Sequence, residues 1–223
     1  MTIGVIAPSG PVCGPRFDQG LKRIESRGYR VICGKSVYDR RGYLAGSDID
    51  RAADFTAMFA RQDVDAIICA RGGYGASRML EYVDWEAVGA NPKLFVGYSD
   101  ITMLHLALEK RIGLVTIYGP MVVTYGGDLS ENAEECFWQI MTRTEPFGRY
   151  DTGDARIRPL VGGKANGRLA GGCLSLLSAA VGTPEEPDFT GRIVLMEDVG
   201  EAIYRVDRLL VQLLRAGLLQ NAA

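Results

Sequence analysis

The chain has a single histidine, His105, so a histidine-rich metal site has no ligands within these residues. Its cysteines are odd in number and scattered (Cys13, Cys33, Cys69, Cys136, Cys173), with no CxxC pair. They read as reduced thiols of a cytosolic protein, mostly buried as small hydrophobes. No apolar run approaches the ~20 residues that span a bilayer. The opening MTIGVIAPSG has no basic flank, and Pro8 breaks its short apolar run, so it reads as a first β-strand rather than a signal peptide. No basic block is longer than Arg40-Arg41, and 25 basic against 27 acidic residues leave a net charge of -2. Electrostatic binding of nucleic acid is therefore not expected.

What the sequence does have is ordinary globular composition with many glycines: 47% hydrophobic, 23% charged, 28 Gly in 223 residues. That length suits one large α/β domain or two modest ones. Strand candidates at Thr2–Ala7, Tyr29–Cys33, Ala66–Ala70, Lys93–Gly97 and Leu114–Tyr118 alternate with helical patterns over Phe17–Arg27, Asp50–Ala60, Ser77–Val83 and Ile101–Glu109. Continuous apolar strands separated by helices predict a parallel, doubly wound sheet, with ligands at the carboxyl ends of its strands. A helix over Glu134–Met141 closes this unit, which is assigned residues 1–148. Residues 149–160 read as a linker, with a strand candidate around Ala155–Leu160. The remainder, 161–223, carries strands at Gly167–Ala170 and Ile193–Met196, a helical stretch to Ala180 and an amphipathic helix over Tyr204–Ala216. A unit with so few strands reads as an incomplete domain.

Three loops carry candidate chemistry. In Leu94-Phe95-Val96-Gly97-Tyr98-Ser99-Asp100 an apolar strand meets a serine and then a helix, the layout of a nucleophile elbow. The second glycine of GxSxG is replaced by Ile101, and the alternative is that Ser99 only caps the helix. Arg71-Gly72-Gly73-Tyr74-Gly75 follows another apolar strand and suits backbone donors or an anion cradle, although a plain turn is also compatible. It has neither P-loop nor dinucleotide spacing. After the strand Ile193–Met196 come Glu197, Asp198 and Glu201, placed either to orient a base or to cap a turn. Pairing of Asp100 with Glu197 in the manner of a glycosidase has no support in the spacing. A serine nucleophile needs a base. His105 lies six residues past Ser99 on the same helix, roughly 240° around and about 9 Å along it, and so reads as a packing residue.

The segments Ala7-Pro8-Ser9-Gly10-Pro11, Arg71-Gly72-Gly73-Tyr74-Gly75, Gly97-Tyr98-Ser99-Asp100-Ile101-Thr102 and Tyr118-Gly119-Pro120 resemble the N-terminal domain of the LD-carboxypeptidase family. That family contains the muramoyltetrapeptide carboxypeptidases and the microcin-immunity peptidases. Gly171-Gly172-Cys173-Leu174, Gly182-Thr183-Pro184, Leu195–Glu201 and Tyr204–Arg208 resemble its C-terminal domain. The resemblance implies a flavodoxin-like first domain, akin to class I glutamine amidotransferase domains, and a swivelling β/α second domain. It implies a cytosolic, homodimeric serine peptidase of peptidoglycan recycling that needs no cofactor or metal. Such an enzyme cuts the bond from meso-diaminopimelate to the terminal D-alanine of a murein tetrapeptide. Ser99 then corresponds to the nucleophile, Glu197 to the acid that orients a histidine, and the Asp100 and Gly73 amides to the oxyanion hole. Two departures accompany it. Cys173 stands where the family usually has Asn, and the family's histidine falls in a closing segment beyond Ala223, attached or as a separate chain. An inactive peptide-binding or dimerisation module, or a microcin-immunity-type peptidase, is the alternative expectation.

Overall fold

A computed structural model describes residues 1–127, 129–149 and 157–223. Five strands form one all-parallel sheet in the order β2-β1-β3-β4-β5. They are β1 (Thr2–Ile6), β2 (Arg30–Cys33), β3 (Ala66–Cys69), β4 (Leu94–Gly97) and β5 (Ile117–Tyr118). Alternate side chains of each strand enter two separate cores, as the period of two requires. Ile6, Ile67, Cys69 and Phe95 face one core; Ile3, Val5, Ala66, Ile68 and Val96 face the other. Both faces are covered, which is why these strands are almost continuously apolar.

Helices α2 (Asp48–Ala60), α3 (Ala76–Met79), α4 (Trp85–Ala90) and α5 (Thr102–Ile112) supply the first core through Phe55, Phe59, Met79, Val88 and Leu104. Helices α1 (Pro15–Ser26), α6 (Val122–Tyr125) and α7 (Glu131–Thr142) supply the second through Phe17, Ile24, Tyr125, Phe137 and Trp138. Local sequence sets the helix ends. Pro15 opens α1, while Ser47, Asp84 and Ser130 cap α2, α4 and α7 by accepting from Asp50, Ala87 and Ala133 amides.

The later residues form a two-stranded parallel sheet, β6 (Arg168–Cys173) and β7 (Arg192–Glu197), with α8 (Leu174–Ala179) and α9 (Ile203–Arg215). Leu174, Leu177, Phe189 and Leu213 join the first core, so this unit packs onto the α5 side of the main sheet. Arg111–Glu185 and Arg192–Glu109 ion pairs flank the seam.

Several expectations need correction. The helix expected over Ser77–Val83 is only α3, continued by a 3-10 turn at Leu80–Tyr82. The fifth strand is the two residues Ile117–Tyr118, not Leu114–Tyr118. Helices α4 and α6 are too short to leave an amphipathic period and were not anticipated. Most of the linker 149–160 lies outside the described residues, as do 155 and 156 of the strand candidate Ala155–Leu160, whose remaining residues 157–160 form no strand. Nor are the cysteines mostly buried: Cys69 and Cys173 are, but Cys33 and Cys136 are half-buried and Cys13 is exposed on the loop after β1. Among the described residues no helix is long and apolar enough to cross a membrane.

Helix α1 lies very close to the turn of α6. A Cβ on Gly20 would stand 2.0 Å from the Val122 carbonyl oxygen. Gly20→Ala is therefore expected to destabilise the fold by about 1–3 kcal/mol through overpacking, outweighing its gain in helix propensity. A lowered urea midpoint checks this; an unchanged or higher midpoint contradicts it.

Candidate active site

The carboxyl ends of β1, β3 and β4 bring three loops together, at the place where strand order reverses about β1. Between Tyr98, which is extended, and a 3-10 turn over Ser99–Ile101 that runs into α5, the chain turns sharply at Ser99. Ser99 has φ 63° and is, among the described residues, the one non-glycine with a positive φ. A left-handed serine costs on the order of 1 kcal/mol and persists only where its surroundings impose it. The side chain makes no capping bond to the turn or to α5, so the bland reading of Ser99 as a helix cap does not hold.

The β3 loop meets this elbow face to face. A Cβ on Gly72 would lie 3.1 Å from Ser99 Cβ and 3.2 Å from its Oγ, tighter than ordinary contact, so the absence of a side chain eases the approach. Gly73 follows with φ 133°. Among the described residues the N–H groups of Gly73 and Asp100 have no hydrogen-bond acceptor. Ser99, Gly72, Gly73, Arg71, Met121 and Thr124 lie in the wall of an open cavity of about 510 Å³.

The Asp100 side chain points away from this cavity. Its buried carboxylate accepts from Ser9 Oγ at 2.6 Å and from the Ala76 N–H at 2.9 Å. Burial raises its pKa, with those two hydrogen bonds opposing the shift. The buried Arg51 guanidinium donates to the Pro8 and Gly75 carbonyls and pairs with Asp48. The loops of β1 and β3 are thus tied twice.

Glu197 ends β7, in register with Cys173 of β6. Its Oε1 accepts from the Tyr118 hydroxyl, and Tyr118 Oη in turn accepts from the Ser99 N–H at 3.0 Å. One phenol therefore links the elbow to the candidate acid. Burial, and then the bond to Glu197, hold that phenol well above its usual pKa, so it remains a donor. The other two carboxylates have different engagements. Asp198 accepts from the Ser175 N–H at 3.0 Å at the start of α8, and Glu201 pairs with Arg205. Asp100 and Glu197 have separate partners and form no acid–base pair. The sequence marks Tyr118 as a strand residue and as part of the Tyr118-Gly119-Pro120 segment of the family resemblance, without a role; its signal is a polar ring at a strand's carboxyl end, level with the loops that carry the candidate chemistry.

His105 is 7% exposed and sealed on both sides of its ring. Nε2 lies 2.9 Å from the Gly97 carbonyl, which can only accept, so Nε2 carries the proton. Nδ1 then accepts from Thr116 Oγ1 at 2.8 Å. Burial lowers the imidazole pKa to about 4. It is a packing residue, as its helical position predicted. Among the described residues no group of three or more His, Cys, Asp or Glu is placed to hold a metal.

This elbow, with its glycine loop and the carboxylate linked to it through Tyr118, has the layout of a candidate serine-hydrolase site. Residues 3–119 match the LD-carboxypeptidase N-terminal domain and residues 166–223 match the LD-carboxypeptidase C-terminal domain. The chain belongs to the LD-carboxypeptidase family. It is 41% identical to the "Probable murein peptide carboxypeptidase" of Bacillus subtilis, across 100% of this chain and 70% of that one. The crystal structure of muramoyltetrapeptide carboxypeptidase from Oxalobacter formigenes superposes with a TM-score of 0.85 at 33% identity, covering 100% of this chain and 74% of that one. The microcin C7 self-immunity protein, known from Escherichia coli, was solved in complex with aspartyl sulfamoyl adenosine. That structure gives a TM-score of 0.89 at 26% identity, over 99% of this chain and 75% of that one.

Because His105 is the sole histidine, its ring gives one unambiguous NMR signature. The neutral Nε2–H form is expected to persist from pH 8 down to about 5. The linkage follows from a folded pKa of about 4 against an unfolded value near 6.5. As pH falls through that window the unfolded state takes up a proton that the folded state refuses, so stability declines, by up to about 3 kcal/mol at pH 4. Protonation of His105 near pH 6.5 in the folded protein would contradict this.

Proposed function

We propose that the protein is a serine-type L,D-carboxypeptidase that releases the terminal D-alanine from murein tetrapeptides. The observation that carries this reading is Ser99, held at positive φ against Gly72 with the Gly73 and Asp100 amides unpaired beside it. In this reading Ser99 Oγ attacks the carbonyl of the L-centre of meso-diaminopimelate. The oxyanion receives the Gly73 and Asp100 N–H groups at the amino end of the helix that begins at Ser99, where the backbone dipole also favours negative charge. D-Alanine leaves as the amine, and water then hydrolyses the acyl-enzyme. Glu197 orients the imidazole that accepts the Ser99 proton. The resemblance assigns that imidazole to a histidine outside these residues, and the sealing of His105 is compatible with that assignment.

The strand order 2-1-3-4-5 supports a flavodoxin-like first domain over 1–148, with 149–160 as linker and 161–223 as part of a swivelling β/α domain. Family resemblance supports a cytoplasmic homodimer acting in peptidoglycan recycling. A microcin-immunity-type activity is the second reading, favoured by the likeness to the microcin C7 self-immunity protein.

The test is release of D-alanine from L-Ala-γ-D-Glu-meso-diaminopimelate-D-Ala. Ser99→Ala is expected to lower kcat/KM by roughly 10³-fold or more, with Glu197→Gln also strongly impaired. Undiminished turnover by Ser99→Ala would remove the nucleophile assignment.

A further inference from the structure

A carboxypeptidase must recognise a free C-terminal carboxylate, and the position of that group relative to the nucleophile is fixed by covalent geometry. Three bonds separate the scissile carbonyl carbon from the carboxylate carbon of the leaving residue, so the two are within about 4 Å of each other. Its anchor must therefore be an immediate neighbour of Ser99. Arg71 meets that requirement. It directly precedes Gly72, which packs against Ser99, and lies in the wall of the same cavity.

The Arg71 guanidinium is held but not neutralised. Its Nε donates to the Gly72 carbonyl at 3.1 Å and one Nη to the Pro11 carbonyl at 3.3 Å. Two of five N–H donors are engaged, leaving three for a ligand. Among the described residues Arg71 has no carboxylate partner, whereas Arg51, Arg78 and Arg111 each pair with one. A half-buried guanidinium fixed by backbone carbonyls is preorganised for bidentate binding of a carboxylate. Arg16, the other cation of the cavity wall, reaches it from α1 beside Gly127 rather than beside Gly72.

We infer that Arg71 binds the α-carboxylate of the substrate's C-terminal residue and so confines cleavage to the last peptide bond. The inference rests on the placement of the reaction at Ser99. It predicts that a substrate with a C-terminal amide loses this contact and nothing else.

The test is binding to the otherwise intact Ser99→Ala protein, measured by calorimetry for the tetrapeptide as free acid and as C-terminal amide. The acid is expected to bind about 10- to 100-fold more tightly, the range of a charge-assisted pair. Arg71→Gln in the same background is expected to abolish that preference by weakening the acid alone. Arg71→Lys keeps the charge without the fork and is expected to retain part of it. The inference is overturned by no preference in the parent, by failure of the acid to bind, or by a preference that survives Arg71→Gln. Should Arg71→Gln not fold, an Arg71→Lys protein with the parent's full preference overturns it equally. Failure of the Ser99 assignment is read separately, as hydrolysis undiminished by Ser99→Ala, and overturns the inference with it; where that hydrolysis is lost, the binding comparison tests Arg71 alone.

Discussion

The site depends on one buried carboxylate. Asp100 accepts from the Ser9 hydroxyl in the β1 loop and from the Ala76 amide beyond the β3 loop, while its own backbone belongs to the β4 elbow. A single side chain thus binds together the three loops that form the cavity. Arg51 makes the complementary tie through the Pro8 and Gly75 carbonyls, and its positive charge offsets some of the burial penalty on Asp100. Leaving such buried donors unpaired costs about 1–3 kcal/mol each. That is comparable to the strain of a left-handed serine, so the ties are strong enough to hold Ser99 where the bare chain would not place it.

The second constraint is register. Glu197 sits opposite Cys173 in the β6–β7 pair, and the Cys173 amide donates to Thr102 Oγ1 at 3.1 Å, one turn from Ser99. A Cβ on Gly172 would lie 2.8 Å from the Thr102 side chain, so β6 can approach α5 this closely only through glycine. A slip of one residue would turn every β7 side chain to the opposite face and carry Glu197 off Tyr118. The Gly171-Gly172-Cys173 run therefore acts as a ruler that fixes a carboxylate almost a hundred residues from the serine it serves in the proposed reaction.

Much of this was legible in the sequence because it is written locally. Apolar runs marked the strands, amphipathic patterns marked α1 and α2, a mostly apolar run marked α5, and Gly97-Tyr98-Ser99 marked the elbow even with Ile101 in place of the second glycine. Ile101 is accommodated because it is fully buried in the main core and packs onto the bare Gly97, where a Cβ would lie 2.6 Å from its Cγ2. What was not legible involves partners distant in sequence. Arg51 is a charged helix residue yet 1% exposed, because its partners are carbonyls of two loops that only the fold brings near. Tyr118 belongs to a segment that carries the family resemblance, but its role is not legible because nothing local reveals Ser99 on one side of its hydroxyl and Glu197 on the other.

That same hydroxyl decides which amides remain for an oxyanion. In trypsin-like peptidases the nucleophile's own N–H faces the developing charge, whereas α/β-hydrolase elbows use the N–H of the following residue. Here the Ser99 N–H is already donated to Tyr118 Oη at 3.0 Å. Burial, and then the bond to Glu197, keep Tyr118 in its protonated form. The amide of Asp100, one residue on, remains unpaired, as does that of Gly73 across the crevice. Tyr118 therefore fixes the polarity of the elbow: by occupying the serine's own donor, it leaves the negative charge of the proposed intermediate to the space between Asp100 and Gly73. The constraint that connects Ser99 to Glu197 is also the one that selects the oxyanion donors.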